Sequence, residues 1–449
     1  MQQPDADRSR RPLGTPSLTA LVVASMIGSG VYTTSGFVLA DFAALPSRGW
    51  VLLAWLLAGA IALCGAVSYG RLAKRLAENG GEYLYLSRAV HPAAGFLAGW
   101  VSLWAGFTGA GSLAVVTFES YLRSVAPLAA APQGTLAIAL AAAVTGLHLL
   151  GVRRGAIGQM AAVGLKLALV GVFLAVAFTR FDQWDAAEQT QPVEQTAAFP
   201  LMAFATSLVW ISFSYTGFNA AIYVAGEAAD GSRSVARAMT WGTAAVTGLY
   251  LLLNAVFVFA PPRASVAGQA NVATIAAEVI AGPAFAQFVT GLICLGLATT
   301  ASSIVMTGPR VYARMADDGL FPRWFATSDP GRPPSRAIAL QGVLIAVVAV
   351  ASDLQTLLSY LGLTLAVSSA ATVATLFGRF SAADPEASPP TRRTSLAVPA
   401  VYVAATLAAA ALATLNRPAD LLGLVATLAT GLAAYFALRH GVLRRRRSV

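Results

Sequence analysis

Twelve long apolar stretches decide what this chain can fold into. They lie at residues 15–40, 49–70, 93–122, 134–152, 156–180, 199–226, 238–260, 284–315, 336–352, 356–378, 396–415 and 419–438. About 20 apolar residues in an α-helix are long enough to cross a hydrocarbon core about 30 Å thick. A helix also satisfies its backbone hydrogen bonds within one segment. The sequence therefore predicts an all-α membrane protein with twelve transmembrane helices, which we number as spans 1 to 12.

Charged residues are scarce in this chain. They make up 11% of its 449 residues, and hydrophobic residues make up 57%, whereas a soluble protein carries about 25% charged residues. The net charge of +10 is spread over loops that flank the spans, so we predict contact with membrane lipid and no nucleic-acid partner. Only one histidine, His148, lies inside a span, and the spans hold no acidic pair. We therefore expect neither an enzyme nor a metal or cofactor site.

The basic residues concentrate on one side of the predicted membrane. When the spans are threaded alternately, 24 of the 30 Lys and Arg residues fall on the side that holds both chain termini. Because cytoplasmic loops are enriched in Lys and Arg, we predict that both termini are cytoplasmic and that the chain resides in the cell membrane. Residues 1–14 and the basic segment 439–449 are then cytoplasmic tails.

Span 1 contains a break in its apolar pattern, Gly28-Ser29-Gly30. Glycine is about 1 kcal/mol worse than alanine inside a helix, so this pattern predicts an unwound segment. Unwound backbone at membrane depth is tolerated only where it lines a cavity within the protein. The free N–H groups that begin the second half-helix would suit a carboxylate. The alternative is that the two glycines only let a neighbouring helix approach closely.

Span 6 has a matching interruption at residues 215–219, where Gly217 and Asn219 stand in an apolar segment. Spans 1 and 6 are five spans apart, so they run in opposite directions. Paired interruptions at equivalent positions of two halves indicate inverted repeats with a binding site between them. The predicted organisation is a first five-helix repeat, a second five-helix repeat, a linker and a pair of peripheral helices, at residues 15–180, 199–380, 381–395 and 396–438.

A lysine inside span 5 requires an explanation. Lys166 lies in an apolar run, and a charged lysine near the bilayer centre costs about 3 kcal/mol on insertion scales. One explanation is that its side chain reaches back to the membrane surface, a distance of about 15 Å by helix rise. The other is a partner inside the bundle: unwound carbonyls of span 1 could accept its three donors, and Ser302 and Ser303 could complete the pocket. Desolvation disfavours the charged ammonium, so Lys166 could exchange a proton, and its ammonium would occupy the position of a bound sodium ion.

Four segments carry a wider resemblance: MIGSGVY in span 1, ENGGEYLYLSRAV after span 2, SYTGFNAAIYVAGE in span 6 and ARMADDGLFP after span 8. Together they resemble the amino acid–polyamine–organocation (APC) transporters, nearest to bacterial permeases related to the L-type exchangers and cationic amino acid transporters. The resemblance implies a LeuT-type five-plus-five inverted repeat in which spans 1 and 6 are unwound at mid-membrane.

The same resemblance implies a substrate site. Backbone groups of the first interruption would hold an α-carboxylate, and carbonyls of the second would hold an α-amine. Phe213 would close over the substrate, and Lys166 would fill the sodium site of related transporters. The implied binding residues are Ile27, Gly28, Ser29, Gly30, Phe213, Ser214, Thr216, Gly217 and Asn219.

Asn219 stands where some members of that family carry an acid, which weakens the case for a strongly cationic substrate. The leading hypothesis is alternating-access transport of neutral L-amino acids, coupled to protons through Lys166. A sodium-independent exchanger and a carrier of cationic amino acids or polyamines are the alternatives within this class. A substrate-sensing membrane receptor is the alternative from another class.

Overall fold

The computed structural model describes residues 13–125 apart from 44, 46, 77 and 79, together with 131–150, 155–184, 199–326, 334–378 and 389–447. The predicted tail before Leu13 and the first part of the linker, 381–388, lie outside the described residues. Within the described part the chain is helical, and its only β-type pairing is an isolated bridge between Leu13 and Ala228. The all-α fold class predicted from hydropathy is confirmed.

The α-helices of the described residues are numbered in chain order. They are α1 Thr15–Met26, α2 Gly30–Asp41, α3 Gly49–Arg75, α4 Gly81–Ala89, α5 Pro92–Val101, α6 Ala110–Val125, α7 Thr135–Leu149, α8 Gly155–Thr179, α9 Leu201–Ser214, α10 Ser232–Phe259, α11 Arg263–Val266, α12 Val272–Asp317, α13 Ser335–Ala351, α14 Leu354–Ala374, α15 Pro389–Asn416 and α16 Asp420–Arg447. A π-helical segment, Ser102–Gly109, joins α5 to α6, and a 3-10 segment, Ala220–Glu227, follows α9 after a short turn.

Local sequence explains where several of these helices begin. Proline occupies the first turn of α1 and of α5, where its missing N–H would have no partner within the helix. Asp353 caps α14, because its side chain accepts a hydrogen bond from the Thr356 backbone N–H at 2.9 Å. The long apolar runs between such signals form helices because a helix pairs its own backbone groups.

Length and composition identify the helices that could cross a membrane. Seven described helical segments qualify, and α1 with α2 would form an eighth span bent by 44°. Four shorter apolar helices accompany them: Thr135–Leu149, Val163–Thr179, Leu201–Ser214 and Ser335–Ala351. Each of the twelve predicted apolar stretches thus coincides with a described helix or with a helix pair.

The interior of the bundle is built around α10, which packs against α1 and α3, while α9 packs against α2, α14 and α15. Four aromatic side chains at this junction are at most 1% exposed: Trp55, Trp210, Tyr215 and Tyr250. The junction therefore encloses the end of α1, the start of α2 and the end of α9.

The last two helices are more exposed than the rest. The most apolar windows of α15 and α16 are 28% and 22% buried, whereas those of the other five candidate spans are at least 50% buried. Within the described residues α15 and α16 therefore lie at the edge of the bundle. The linker that precedes them ends in helix, because α15 already begins at Pro389.

Candidate functional site

The first interruption separates α1 from α2. Helix α1 ends at Met26 and α2 begins at Gly30, with Ile27, Gly28 and Ser29 between them. Ile27 and Ser29 are buried, at 1% and 3% exposure. The break was predicted at residues 28–30, and the structure shifts it by one residue toward the N-terminus, because Gly30 is already helical.

The second interruption follows α9. Helix α9 ends at Ser214, residues 215–219 form a turn, and the 3-10 segment begins at Ala220. Gly217 has a φ of +99°, a conformation that a residue with a Cβ rarely adopts. A Cβ at this position would also lie 2.7 Å from the carbonyl oxygen of Ser25. The glycine of the second break is therefore required by its backbone angle and by its close contact with α1.

The two interruptions touch each other. A Cβ built on Gly30 would overlap the hydroxyl of Ser214 and lie 3.0 Å from its Cα. Gly30 therefore allows α9 to approach α2 closely, which was the alternative explanation to unwinding. Gly28 and Ser29 lie in the unwound part. Both explanations of the glycine pair are needed, one for each glycine.

One tyrosine joins the two broken helix ends. The hydroxyl of Tyr250, on α10, lies 2.6 Å from the carbonyl oxygen of Met26 and 3.0 Å from that of Ser214. Both carbonyls belong to the last residue of a helix, where no intrahelical donor is available. Tyr250 is completely buried, and its single hydroxyl proton is shared between the two carbonyl oxygens. Sequence analysis missed this residue, since nothing distinguishes it from other aromatic residues of span 7.

Lys166 is attached to the first interruption. Its ammonium donates a hydrogen bond to the carbonyl oxygen of Ile27, and the residue is 6% exposed. Its aliphatic stem runs beside Gly296 of α12, where a Cβ would lie 3.5 Å from Cδ and Cε. The structure therefore places Lys166 inside the bundle with a carbonyl of the broken span as its partner, as the second explanation required.

The two serines proposed alongside Lys166 have other described contacts. The Ser302 hydroxyl lies 2.9 Å from Nε2 of His148, and the Ser303 carbonyl accepts a hydrogen bond from Thr307. Gly296, beside the Lys166 stem, precedes Ser302 by six residues, which is about 9 Å along a helix. A role for Ser302 and Ser303 in proton coupling stays a prediction.

Polar groups with spare hydrogen-bonding capacity gather where the interruptions meet. The first N–H groups of α2 have no intrahelical acceptor, and the buried hydroxyls of Ser214 and Tyr32 have no hydrogen-bond partner among the described residues. The Phe213 carbonyl accepts from Thr216, at 2.9 Å from N and 2.6 Å from Oγ1. The junction thus offers donors from α2 and Ser214 for an anion.

Asn219 points to a different neighbour. Its side-chain amide donates to a carboxylate oxygen of Glu82 at 3.3 Å. Glu82 lies in the first turn of α4 and is 8% exposed. The structure therefore links this predicted binding residue to a buried acid that sequence analysis did not single out.

Known proteins resemble this chain over most of its length. The profile of the amino acid permease family matches residues 13–431, a range that includes both interruptions and Lys166. The chain is 24% identical over 364 residues to the b(0,+)-type amino acid transporter 1 of Mus musculus, covering 78% of this chain and 72% of that protein. It is 23% identical over 361 residues to the large neutral amino acids transporter small subunit 2 of Homo sapiens, covering 79% and 66%. It is also 28% identical over 406 residues to the cationic amino acid transporter 4 of Mus musculus, covering 85% and 61%.

Proposed function

The chain belongs to the amino acid permease family of the APC superfamily, and we propose that it transports L-amino acids across the cell membrane by alternating access. It is an integral membrane protein of a family of transporters, not of enzymes. The observation that carries the proposal is the pair of helix interruptions, which meet at Gly30 and Ser214 and are joined by Tyr250.

The proposed topology is twelve membrane crossings, arranged as two inverted five-helix repeats and a peripheral pair, with both termini cytoplasmic. Antiparallel spans 1 and 6 would place the start of span 1 beside the end of span 6. Hydrogen bonds between those ends support this arrangement: Leu13 N donates to Glu227 O at 3.3 Å, and Ala229 N donates to Leu13 O at 2.9 Å. The excess of Lys and Arg then assigns this side to the cytoplasm.

The proposed substrate is the zwitterionic backbone of an amino acid. Its α-carboxylate would accept hydrogen bonds from the N–H groups at Gly28 to Gly30 and from the Ser214 hydroxyl, at the positive end of α2. Its α-amine would donate to the carbonyl oxygen of Ser214, which accepts one hydrogen bond from Tyr250 and can accept a second. We propose a neutral rather than a cationic side chain, because Lys166 at the first interruption is itself a cation and Asn219 at the second carries no charge.

We propose that transport is coupled to protons through Lys166. The ammonium holds the Ile27 carbonyl at the break between α1 and α2. Loss of its proton would weaken that hydrogen bond, because a neutral amine attracts a carbonyl oxygen less strongly than an ammonium does. Helix α1 would then be free to move relative to α2, which is the motion that alternating access requires.

Uptake into proteoliposomes tests this function. Purified protein is screened against amino acids by thermal shift, and the best hit is used in flux assays with and without an imposed pH gradient. We expect an imposed proton gradient to drive accumulation of the substrate by the wild-type chain, and we expect Lys166→Ala to lose that accumulation. Lys74→Ala is the matched control, because Lys74 is exposed at the end of α3. Accumulation that survives Lys166→Ala unchanged would remove Lys166 from coupling, and dependence on sodium would contradict the proposed site.

A further inference from the structure

A second buried ionisable group serves the other interruption. Glu82 lies in the first turn of α4, a short helix between spans 2 and 3, and is 8% exposed. It lies outside the membrane-crossing segments, in the connection that the charge pattern assigns to the cytoplasm. A carboxyl group in such a connection normally faces water, so its burial requires a reason.

The Glu82 carboxyl group joins four parts of the chain. Its Oε1 atom accepts hydrogen bonds from the Tyr69 hydroxyl of α3 and from the Asn219 amide, which lies 3.3 Å away at the end of the second interruption. Its Oε2 atom accepts from the Ser368 hydroxyl of α14 at 3.3 Å. Since Glu82 itself belongs to α4, its side chain holds α3, α4, α14 and the broken span 6 together.

Within the part of the chain that the structure describes, the titratable groups that face Glu82 from the surrounding elements are phenols. They belong to Tyr69 on α3, Tyr223 in the 3-10 segment and Tyr402 on α15. Near α4, Glu78 and Arg88 form an ion pair at 3.7 Å with side chains that are 56% and 61% exposed. Burial raises the pKa of Glu82, and the hydrogen bonds from Tyr69 and Ser368 oppose that rise only in part.

We propose that Glu82 is a proton-binding latch that holds the cytoplasmic end of span 6 closed. While α3, α4, α14 and residues 215–227 are packed around it, the carboxyl group holds a proton, and the Tyr69 hydroxyl oxygen beside it is the acceptor for that proton. When these elements separate, water reaches the group, the O–H bond breaks and the proton leaves to water as Glu82 becomes a carboxylate. This inference rests on the proposed function, because it assigns Glu82 to a movement that alternating access requires.

The latch has a definite response to pH. Binding of a proton to the closed form stabilises that form, so acidification of the cytoplasmic side favours closure and alkalinisation favours opening. Below the transition, the fraction of deprotonated Glu82 rises about tenfold for each pH unit. Each interruption is then held by one ionisable side chain. Lys166 holds the broken span 1 through Ile27, and Glu82 holds the broken span 6 through Asn219.

Hydrogen–deuterium exchange of residues 81–89 and 220–227, measured from about pH 5.5 to about pH 8, tests the latch without any transport assay. After correction for intrinsic exchange chemistry, we expect the wild-type segments to lose protection as the pH rises. Glu82→Gln, which cannot ionise, should stay protected throughout. Glu78→Gln is the matched control and should behave like the wild type, since that residue is exposed. Ser368→Ala removes a donor that favours the carboxylate, so its transition should move to higher pH.

Amino acid exchange in proteoliposomes, at equal substrate concentrations and varied internal pH, gives the functional readout. We expect wild-type exchange to rise with internal pH and Glu82→Gln to lose that rise. Equal pH profiles for the wild type and Glu82→Gln in both measurements would overturn the latch. Absence of any amino acid flux in the wild type would instead refute the proposed function. Hydrogen–deuterium exchange would still test whether Glu82 acts as the latch, because it does not depend on transport.

Discussion

Replacing Tyr250 with phenylalanine removes one hydroxyl group and leaves the ring in place. That hydroxyl lies 2.6 Å from the Met26 carbonyl oxygen and 3.0 Å from the Ser214 carbonyl oxygen. A buried acceptor left without a donor costs about 1–3 kcal/mol. Because one proton is shared between two carbonyls, we expect a loss near the middle of that range, about 2 kcal/mol.

Part of this loss should appear as weaker substrate binding. Tyr250 fixes the two helix ends on which the proposed carboxylate and amine sites depend, so the variant must order them when the substrate binds. If about 1.4 kcal/mol of the loss falls on the substrate-free state, the apparent affinity falls about tenfold. The assay is the concentration dependence of amino acid exchange in proteoliposomes, with thermal unfolding of the same preparations.

Tyr312→Phe is the matched control for this experiment. Tyr312 is also completely buried, and its hydroxyl donates to the side chain of Gln341, which joins α12 to α13 away from the interruptions. We expect Tyr312→Phe to lose stability and to keep its half-saturating substrate concentration. Wild-type stability together with wild-type affinity in Tyr250→Phe would refute the assignment of Tyr250 as the bridge between the two breaks.

Three further substitutions test other parts of the site. Gly217→Ala should destabilise the protein by about 2 kcal/mol or more and abolish flux, because φ is +99° there and a Cβ would meet the Ser25 carbonyl; Gly248→Ala, in open space on α10, should be tolerated in the same unfolding and flux assays. Ser214→Ala should leave the melting temperature nearly unchanged and raise the half-saturating substrate concentration, since its hydroxyl has no partner among the described residues; unchanged affinity would exclude that hydroxyl from binding. Burial raises the pKa of Glu82 above its ordinary value of 4.5. The protonated group therefore stabilises the folded state fully below pH 4.5, and this stabilisation is lost as the pH rises through the raised pKa. The melting temperature should fall more steeply with rising pH in the wild type than in Glu82→Gln.

The positions of the helices and of their interruptions were largely predictable. Apolar runs are local features, and each of the twelve predicted runs is helical in the described residues. Glycine pairs also act locally, so the break in span 1 was predicted to within one residue. The contact of Lys166 with span 1 was predictable for another reason: a buried ammonium needs acceptors, and an unwound segment is where free carbonyls occur.

The remaining contacts depend on partners that are far apart in the chain. Tyr250 lies 224 positions from Met26, and Ser368 lies 286 positions from Glu82. The Ser302 hydroxyl is a further example, since it lies beside His148, 154 positions away. A hydrogen-bond donor in a sequence does not specify its acceptor until packing brings the two within about 3 Å.

The sequence by itself therefore determined that this chain forms apolar helices, at which positions two of them break and to which family the chain belongs. It could do so because hydropathy, backbone propensity and family motifs are local properties of the sequence. Only the tertiary structure decided that Gly30 meets Ser214, that Tyr250 joins the two breaks and that Glu82 is buried against Asn219. The physical reason is that an unwound backbone leaves donors and acceptors that neighbouring helices must satisfy. Which side chain does so is set by how those helices pack in space.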